Sequence, residues 1–369
     1  MKVAYTIGAL ARGGAENLLL DVFRNIKESS IDAVLIHRHF GPMQDEFDKS
    51  GVKRIQLTHR KGHLLQYLWA YRKIIRAEKV DIIHAQHLLD SIYGRLAVGK
   101  KYPIVLTFHG SEGCMCSRCT AMLYRIAMLC ANKICFVSET QRKMYIARYG
   151  SLVEKKSVVV YNGIDFGKFE NACVKDNDQK PKERIGDAKL CMVGNFNSVR
   201  NHMVVCQALA KLKDMPICFY FIGGKIENEA DKYDACVAFC KENGLNVEFM
   251  GQRKDVPELL REMDGFVYAS RTDTFGIAVI EAMAAGLPVV VNDWSVMQEV
   301  CDGAPAVWMY KSRDVNDCAD RMKDLINDIQ TYNQKLQIRC ERQAQWVRER
   351  FSIQNHIKQL EKVYVWNIR

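Results

Sequence analysis

Short apolar runs of strand length alternate with stretches of helical periodicity along almost the whole chain. In the first half the strand candidates are Val3–Ile7, Ala33–His37, Ile82–Ala85, Ile104–His109, Ile134–Val137 and Val158–Tyr161. Between them, Glu16–Lys27 and Leu64–Glu78 carry apolar residues at helical spacing. Ser138 opens Ser-Glu-Thr-Gln, a capping-box pattern that predicts a helix through Tyr149. After Asp165 the pattern pauses. Residues 170–188 are polar, charged and poor in periodic apolar positions, as a linker should be. Alternation then resumes with Leu190–Val193, Phe219–Ile222, Val247–Met250, Phe266–Ala269, Val289–Val291 and Ala306–Met309. From about Asp314 to Tyr364 the chain reads as almost wholly helical. The predicted class is α/β, with parallel, doubly wound sheets. The predicted division is a first domain over 1–169, a linker over 170–188, a second domain over 189–350 and a last helix over 351–369. Two similar halves suggest two facing Rossmann-like domains with a cleft between them.

Composition narrows the class without naming a chemistry. The chain of 369 residues is long enough for about two domains, and 48% hydrophobic with 26% charged residues describes soluble folded units with real cores. No apolar run reaches the roughly 18–20 residues of a membrane span. Lys2 and the run ending at Ala9-Leu10-Ala11 look superficially like an export signal. Thr6 and Gly8 interrupt that run, which reads better as a first buried strand. Fourteen cysteines in such a chain suggest free thiols in a reducing cytoplasm. Cys114, Cys116 and Cys119 crowd six residues but lack a second well-spaced pair, so a loop of reduced thiols is expected rather than zinc. Charge is uneven, at +11 over residues 1–165 and −1 over the rest. A basic half suits anionic lipid, nucleic acid, a phosphorylated substrate or simply a solvated face, and charge alone does not choose.

Chemistry concentrates between Asp273 and Val291, DTFGIAVIEAMAAGLPVVV. Two carboxylates, Asp273 and Glu281, bracket Phe275 and Gly276, where a loop should become a helix. Unsatisfied N–H groups at such a helix start make an anion site. Gly286 and Pro288 end the helix before a buried-type strand. Loop, helix start, internal carboxylate and strand together suggest a nucleotide-diphosphate site. Gly13-Gly14-Ala15-Glu16 offers a second glycine turn after a strand and before a helix. His109 stands at a strand's carboxyl end, where open α/β sheets bind ligands, and could stabilise a charged transition state. His84 and His87 follow another strand and read as lining or structural residues. Val193-Gly194-Asn195-Phe196 is followed by Arg200, which can hold phosphate in a bidentate manner. Asn162-Gly163 is a turn signal and reads as the hinge entry. Asp176–Asp178 imitates a metal-binding acidic motif but sits in the polar linker, with no preceding strand to present it.

The Asp273–Pro288 stretch resembles the donor-sugar signature of the retaining glycosyltransferases of family 4, written E-x-F-G-x4-E-A-x-x-x-G-x-P-V. The resemblance runs in order from the glycine loop to the terminal helix. It implies the B-type fold of two Rossmann-like domains, the last helix crossing back onto the first domain. It implies that Glu281 binds the ribose hydroxyls, that Asp273 lies near the donor-sugar hydroxyls, and that backbone N–H groups around Gly276, Ile277 and Ala278, beside Phe275, hold the departing phosphate. Gly13 and Gly14 would face the donor diphosphate and the acceptor. The family pattern V-G-R-L-x-x-x-K-G or K-N is altered here: Asn195 replaces the first basic residue and Arg200 stands at the lysine position. Arg253 and Lys254 either offer compensating charge or belong to a surface loop. Asp273 is one methylene shorter than the usual glutamate. The implied activity is transfer of a sugar from a UDP- or GDP-sugar to a glycan or lipid-linked acceptor in capsular, exopolysaccharide or lipopolysaccharide synthesis. The nucleotide sugar is a substrate; no separate cofactor and no metal is expected, since helix dipole and Arg200 neutralise the leaving diphosphate.

Two other classes compete. One is an epimerase or hydrolase of nucleotide sugars on the same scaffold. The other is a non-catalytic sugar or nucleic-acid binding protein, supported only by the basic half and lacking an aromatic-interleaved nucleic-acid motif. The expected location is cytoplasmic and peripheral at the inner membrane face. Lys61, Arg72, Lys73 and Arg76, interspersed with Leu64, Leu65, Leu68, Trp69 and Ile75, form the candidate lipid contact, unless that helix simply packs its apolar face on the sheet.

Overall fold

The computed structural model describes residues 1–58, 62–169, 186–331 and 334–368. Lys61, the Asp176–Asp178 motif and most of the 170–188 linker lie outside them. Two compact units result: Met1–Ile164 together with Phe351–Arg369, and Asp165–Arg350. The residues just after Ile164 go with the second unit, where Phe166 lies under the Arg348 guanidinium at 4.7 Å.

The first unit runs β1 (Lys2–Ala9), α1 (Gly14–Asn25), β2 (Asp32–His39), α2 (Gln44–Asp48), β3 (Lys53–Gln56), α3 (Leu64–Ala77), β4 (Ile82–Ala85) and α4 (Leu88–Val98). It continues with β5 (Ile104–Phe108), α5 (Glu112–Met115), α6 (Arg118–Cys130), β6 (Lys133–Phe136), α7 (Glu139–Tyr149), α8 (Ser151–Glu154) and β7 (Ser157–Val159). The seven strands form one parallel sheet in the order β3-β2-β1-β4-β5-β6-β7. Parallel strands need covered faces. One face is covered by α1 with Leu19 and Phe23, and the other by α3, α4 and α6 with Tyr71, Val98 and Ala127. The Ser138 hydroxyl accepts from the Gln141 N–H at 3.1 Å, so the capping box starts α7 as its pattern predicts.

The second unit runs β8 (Ala188–Val193), α9 (His202–Lys211), β9 (Ile217–Ile222), α10 (Ala230–Glu242), β10 (Val247–Gly251), α11 (Val256–Glu262), β11 (Gly265–Tyr268) and α12 (Ile277–Ala284). It ends with β12 (Val289–Asn292), α13 (Ser295–Val300), β13 (Val307–Tyr310), α14 (Val315–Gln330) and α15 (Gln334–Phe351). Its parallel sheet is ordered β10-β9-β8-β11-β12-β13. The last helix, α16 (Ile353–Ile368), returns to the first unit, where Leu360 and Tyr364 join the core beside α1. Ile164 pairs with this return, its N–H bonding to the Phe351 carbonyl at 2.9 Å and its own carbonyl accepting from the Ile353 N–H at 2.9 Å.

Two features differ from the pattern reading. β3 was not anticipated, because Lys-Arg-Ile-Gln at a sheet edge carries a single apolar residue. The thiol-rich stretch expected as a loop is largely helical, with Cys114 on α5 and Cys119 on α6. Gly163, read as the hinge entry, stands one residue before the end of the first unit's long segment and is also a contact point. A Cβ there would come within 2.8 Å of the Ile353 Cα, so only glycine lets α16 approach.

Candidate functional site

Both sheets reverse their strand order at one point, between β1 and β4 in the first unit and between β8 and β11 in the second. Ligands of doubly wound sheets bind outside the carboxyl ends of strands at such a reversal. Most of the residues singled out in the sequence follow the strands at these two places; Arg253 and Lys254 follow the edge strand β10.

In the second unit, the chain leaves β8 through Gly194 at φ +153°. The Asn197 side-chain oxygen accepts from the N–H groups of Val199 at 3.1 Å and Arg200 at 3.0 Å, which fixes the turn carrying Arg200. The Arg200 guanidinium bonds the Asp273 carboxylate at 2.5 Å and the Tyr268 hydroxyl, and its centre lies 4.8 Å over the Tyr268 ring. Tyr268 in turn donates to Asp273. The other Asp273 oxygen accepts from the N–H groups of Thr274 at 2.7 Å and Phe275 at 3.3 Å. Burial alone would raise the Asp273 carboxyl, but Arg200 and the Tyr268 hydroxyl outweigh it and hold the group at about 2. Burial likewise lowers the Arg200 guanidinium, yet Tyr268 and Asp273 carry it above its ordinary value. The pair is therefore charged throughout the physiological range.

Directly after this turn, Gly276 adopts the left-handed conformation at φ +81° and starts α12. The N–H groups of Ile277 and Ala278 have no acceptor within their own helix, while that of Val279 bonds the Gly276 carbonyl at 2.9 Å. The helix start thus presents an anion-favouring edge within two residues of the Asp273 turn. Glu281 is half-buried on the second turn of α12. Asn195 serves a different partner: its side-chain oxygen accepts from the Gly224 N–H at 2.8 Å, tying the β8 loop to the β9 loop. A cationic side chain has no lone pair for that bond. Arg253 follows the edge strand β10 and bonds both oxygens of Asp255, at 2.8 and 2.5 Å, in an exposed pair. Lys254 beside it is exposed. Arg253 is thus held by its neighbour in the chain.

In the first unit, Gly13 is extended and precedes α1, and a Cβ there would lie 2.7 Å from a Glu16 carboxylate oxygen. Gly14 is exposed at the helix start. His109 follows β5, and its Nε2 lies 2.9 Å from the Gln86 side-chain oxygen. A hydrogen bond there makes Nε2 the donor and leaves Nδ1 unprotonated. Burial pushes the His109 imidazole down to about 3. His84 is a core residue, bonded to the Tyr364 hydroxyl at 2.6 Å and to Thr107 at 2.7 Å, with burial pushing it down to about 3 as well. Together with Gln86, Asn162 and His356 these rings line a cavity of about 20 Å³, room for one water.

A model described as Glycosyltransferase Family 4 matches residues 12–168, and one described as Glycosyl transferases group 1 matches residues 187–328. The chain belongs to the family 4 glycosyltransferases. It is 24% identical over 308 residues to N-acetyl-alpha-D-glucosaminyl L-malate synthase of Bacillus anthracis, covering 79% of this chain and 76% of that one. It is 24% identical over 322 residues to the UDP-Gal:alpha-D-GlcNAc-diphosphoundecaprenol alpha-1,3-galactosyltransferase of Escherichia coli, covering 79% of each. Among solved structures, a glycosyltransferase from Rickettsia africae superimposes with a TM-score of 0.85 at 19% identity, over 100% of this chain and 98% of that one. The two-Rossmann-domain fold is thus that of the B-type glycosyltransferases.

For a family 4 glycosyltransferase, the sequence located Asp273, Arg200 and the α12 start by their order along the chain. It did not reveal that Tyr268 underlies Arg200, that Gln86 holds His109, or that the Trp294 indole N–H donates to the Asp273 carbonyl at 3.1 Å. Tyr268 read as an ordinary strand residue, and Gln86 and Trp294 carry no local pattern. Among the described residues, no cluster of three His, Cys, Asp or Glu side chains is arranged to hold a metal ion.

Proposed function

We propose that this glycosyltransferase transfers a sugar from a UDP- or GDP-sugar, with retention of anomeric configuration, to a glycan or lipid-linked acceptor of surface polysaccharide. The observation that carries the donor assignment is the convergence at the β8–β11 reversal. A charged Arg200, a left-handed glycine opening a helix, and a carboxylate on that helix's second turn follow one another there. In this reading the N–H groups of Ile277 and Ala278 bind the distal phosphate, and Glu281 takes the ribose hydroxyls. Arg200 neutralises the charge that develops on the leaving diphosphate, so that helix dipole and guanidinium serve without a metal. Asp273 holds Arg200 in place and lies close to where the sugar hydroxyls would sit. By the family resemblance, His109 hydrogen-bonds the transferred sugar, and its low pKa keeps it neutral. No side chain is assigned as a covalent nucleophile, and attack from the leaving group's own face is the mechanism favoured by analogy.

A lipid-linked acceptor is supported by the Escherichia coli relative, whose name specifies a diphosphoundecaprenol substrate. No helix is long and apolar enough to cross a membrane among the described residues. Peripheral attachment through the basic first unit would bring the enzyme to such an acceptor. The test is a panel of radiolabelled UDP- and GDP-sugars offered with lipid-linked and free glycan acceptors. Transfer of label to an acceptor, undiminished by chelator, supports the reading. Donor hydrolysis or isomerisation without an acceptor would replace it with the epimerase or hydrolase alternative.

A further inference from the structure

Three neighbouring helices of the first unit, α3, α4 and α6, cover one face of its sheet and share one core. Their outer surface is unusually apolar. On α3, Leu65 is 83% and Trp69 67% exposed, while Tyr67, Tyr71 and Ile75 face the core. On α4, Leu96 is exposed. On α6, Met122, Ile126 and Leu129 stand at i, i+4 and i+7 on the outer side, opposite the buried Tyr124, Ala127 and Met128. Helix α6 is therefore apolar on two faces, and only one of them is covered by its own fold. Helices apolar all round ordinarily need a second apolar surrounding. Most exposed large apolar side chains among the described residues lie on this side of the unit, which marks it as an interaction surface.

The charges choose the partner. The three helices carry Arg72, Lys73, Arg76, Arg95, Arg118 and Arg125. Their single carboxylate is Asp90, which is buried and bonded to Arg38. A second copy of this chain would set a basic face against a basic face. An anionic lipid surface offers both negative headgroups and an apolar layer beneath them, and exposed Trp with flanking Arg and Lys suits that boundary.

We propose that the α3–α4–α6 face seats in an anionic bilayer by insertion, with Met122, Ile126 and Leu129 of α6 and Leu65 and Trp69 of α3 entering the acyl boundary. This rests on the membrane reading above and changes its character. Attachment by charge alone is released by salt, whereas an inserted apolar ridge holds after charges are screened. It also places α6, with its exposed Met122, Ile126 and Leu129, at the centre of the contact.

The test is flotation of the full chain with vesicles of phosphatidylcholine alone and of phosphatidylcholine with phosphatidylglycerol. Each is run at low salt and at about 1 M NaCl, where the Debye length is about 3 Å. Wild type should float with the anionic vesicles and remain partly bound in high salt. Ile126→Asp with Leu129→Asp should reduce the salt-resistant binding at least about tenfold, the order expected for withdrawing even one buried Leu-sized side chain. Bromine-labelled acyl chains should quench tryptophan fluorescence in wild type and much less in Trp69→Phe. Full release of wild type by salt, no vesicle binding, or unaltered flotation of the double variant would overturn insertion. So would sedimentation showing a dimer that the double variant dissociates, which would give the face to a second copy. Calorimetric binding of UDP and GDP, retained by the double variant, shows that it is folded. Failure of that binding in wild type would count against the donor assignment and leave insertion standing.

Discussion

Asp273 divides its carboxylate between two tasks. One oxygen closes the turn by accepting from Thr274 and Phe275, and the other holds Arg200 together with the Tyr268 hydroxyl. Aspartate, shorter than the family's usual glutamate, suits the turn closure because its carboxylate stays near its own backbone. Asp273→Asn should keep the turn bond and weaken the ion pair. A loss of about 1.5–3 kcal/mol in urea unfolding is expected, the range for a hydrogen bond to a charged group. An unchanged midpoint would mean that the pair is not held in solution. For Arg200, turnover should fall more in Arg200→Ala than in Arg200→Lys, which keeps charge but loses the planar fork. Equal turnover of Arg200→Ala and wild type at saturating donor would remove Arg200 from the site. Glu281→Ala should weaken donor affinity by about 1.5–3 kcal/mol in calorimetric titration, and unchanged affinity in a folded variant would remove the ribose assignment. The sequence made Asp273, Glu281 and Arg200 legible because they keep fixed spacing to glycines. Tyr268 was illegible, since its importance comes from lying beneath a side chain 68 residues away.

At the scale of elements, the start of α12 depends on a single backbone conformation. Gly276 sits at φ +81°, and a Cβ there would lie 2.5 Å from the Met297 terminal methyl. Gly276→Ala should therefore destabilise the second unit by about 1–3 kcal/mol from backbone strain alone, with the contact adding to it. A thermal midpoint equal to wild type would show that the turn can relax. The return of α16 has its own consequence. His356 on that helix bonds the Tyr161 carbonyl at 2.7 Å. Burial pushes its imidazole down to about 4, with His84 and His109 at about 3. The unfolded chain protonates these rings below about 6.5, whereas the folded chain does so only near 3 to 4. Their contribution to stability is thus complete above pH 6.5 and is lost progressively as pH falls through that window. Thermal midpoints should drop between pH 7.5 and 5, and less steeply in His356→Asn. A flat profile would contradict burial of neutral rings. The strands β8–β13 were legible as compact apolar runs, while β3 was not, because an edge strand of four mostly polar residues carries no period. The docking of α16 was implied only by family likeness, and its physical condition, the missing side chain at Gly163, shows only in three dimensions.

At the scale of the whole molecule, the same doubly wound plan occurs twice, in two units of similar length but different charge. The first unit holds the excess positive charge and the exposed apolar helical face; the second is net acidic and carries the Arg200–Asp273 pair beside a helix start. Under the proposed function, the first unit would serve an acceptor at a lipid surface and the second would hold the anionic donor at the helix start and Arg200. The charge asymmetry was visible in the sequence. The outward direction of Leu65 and Trp69 was not, since core-facing and solvent-facing apolar residues look alike until the helix is placed on its sheet. The most direct test of the account is the anomeric configuration of the bond the enzyme makes. With the donor found in the sugar-nucleotide panel, the product on a lipid-linked or glycan acceptor is followed by proton NMR from the first turnovers. The account predicts an α-linked product from an α-linked UDP- or GDP-sugar. A β-linked product, or a donor hydrolysed or epimerised with no new glycosidic bond, would contradict it.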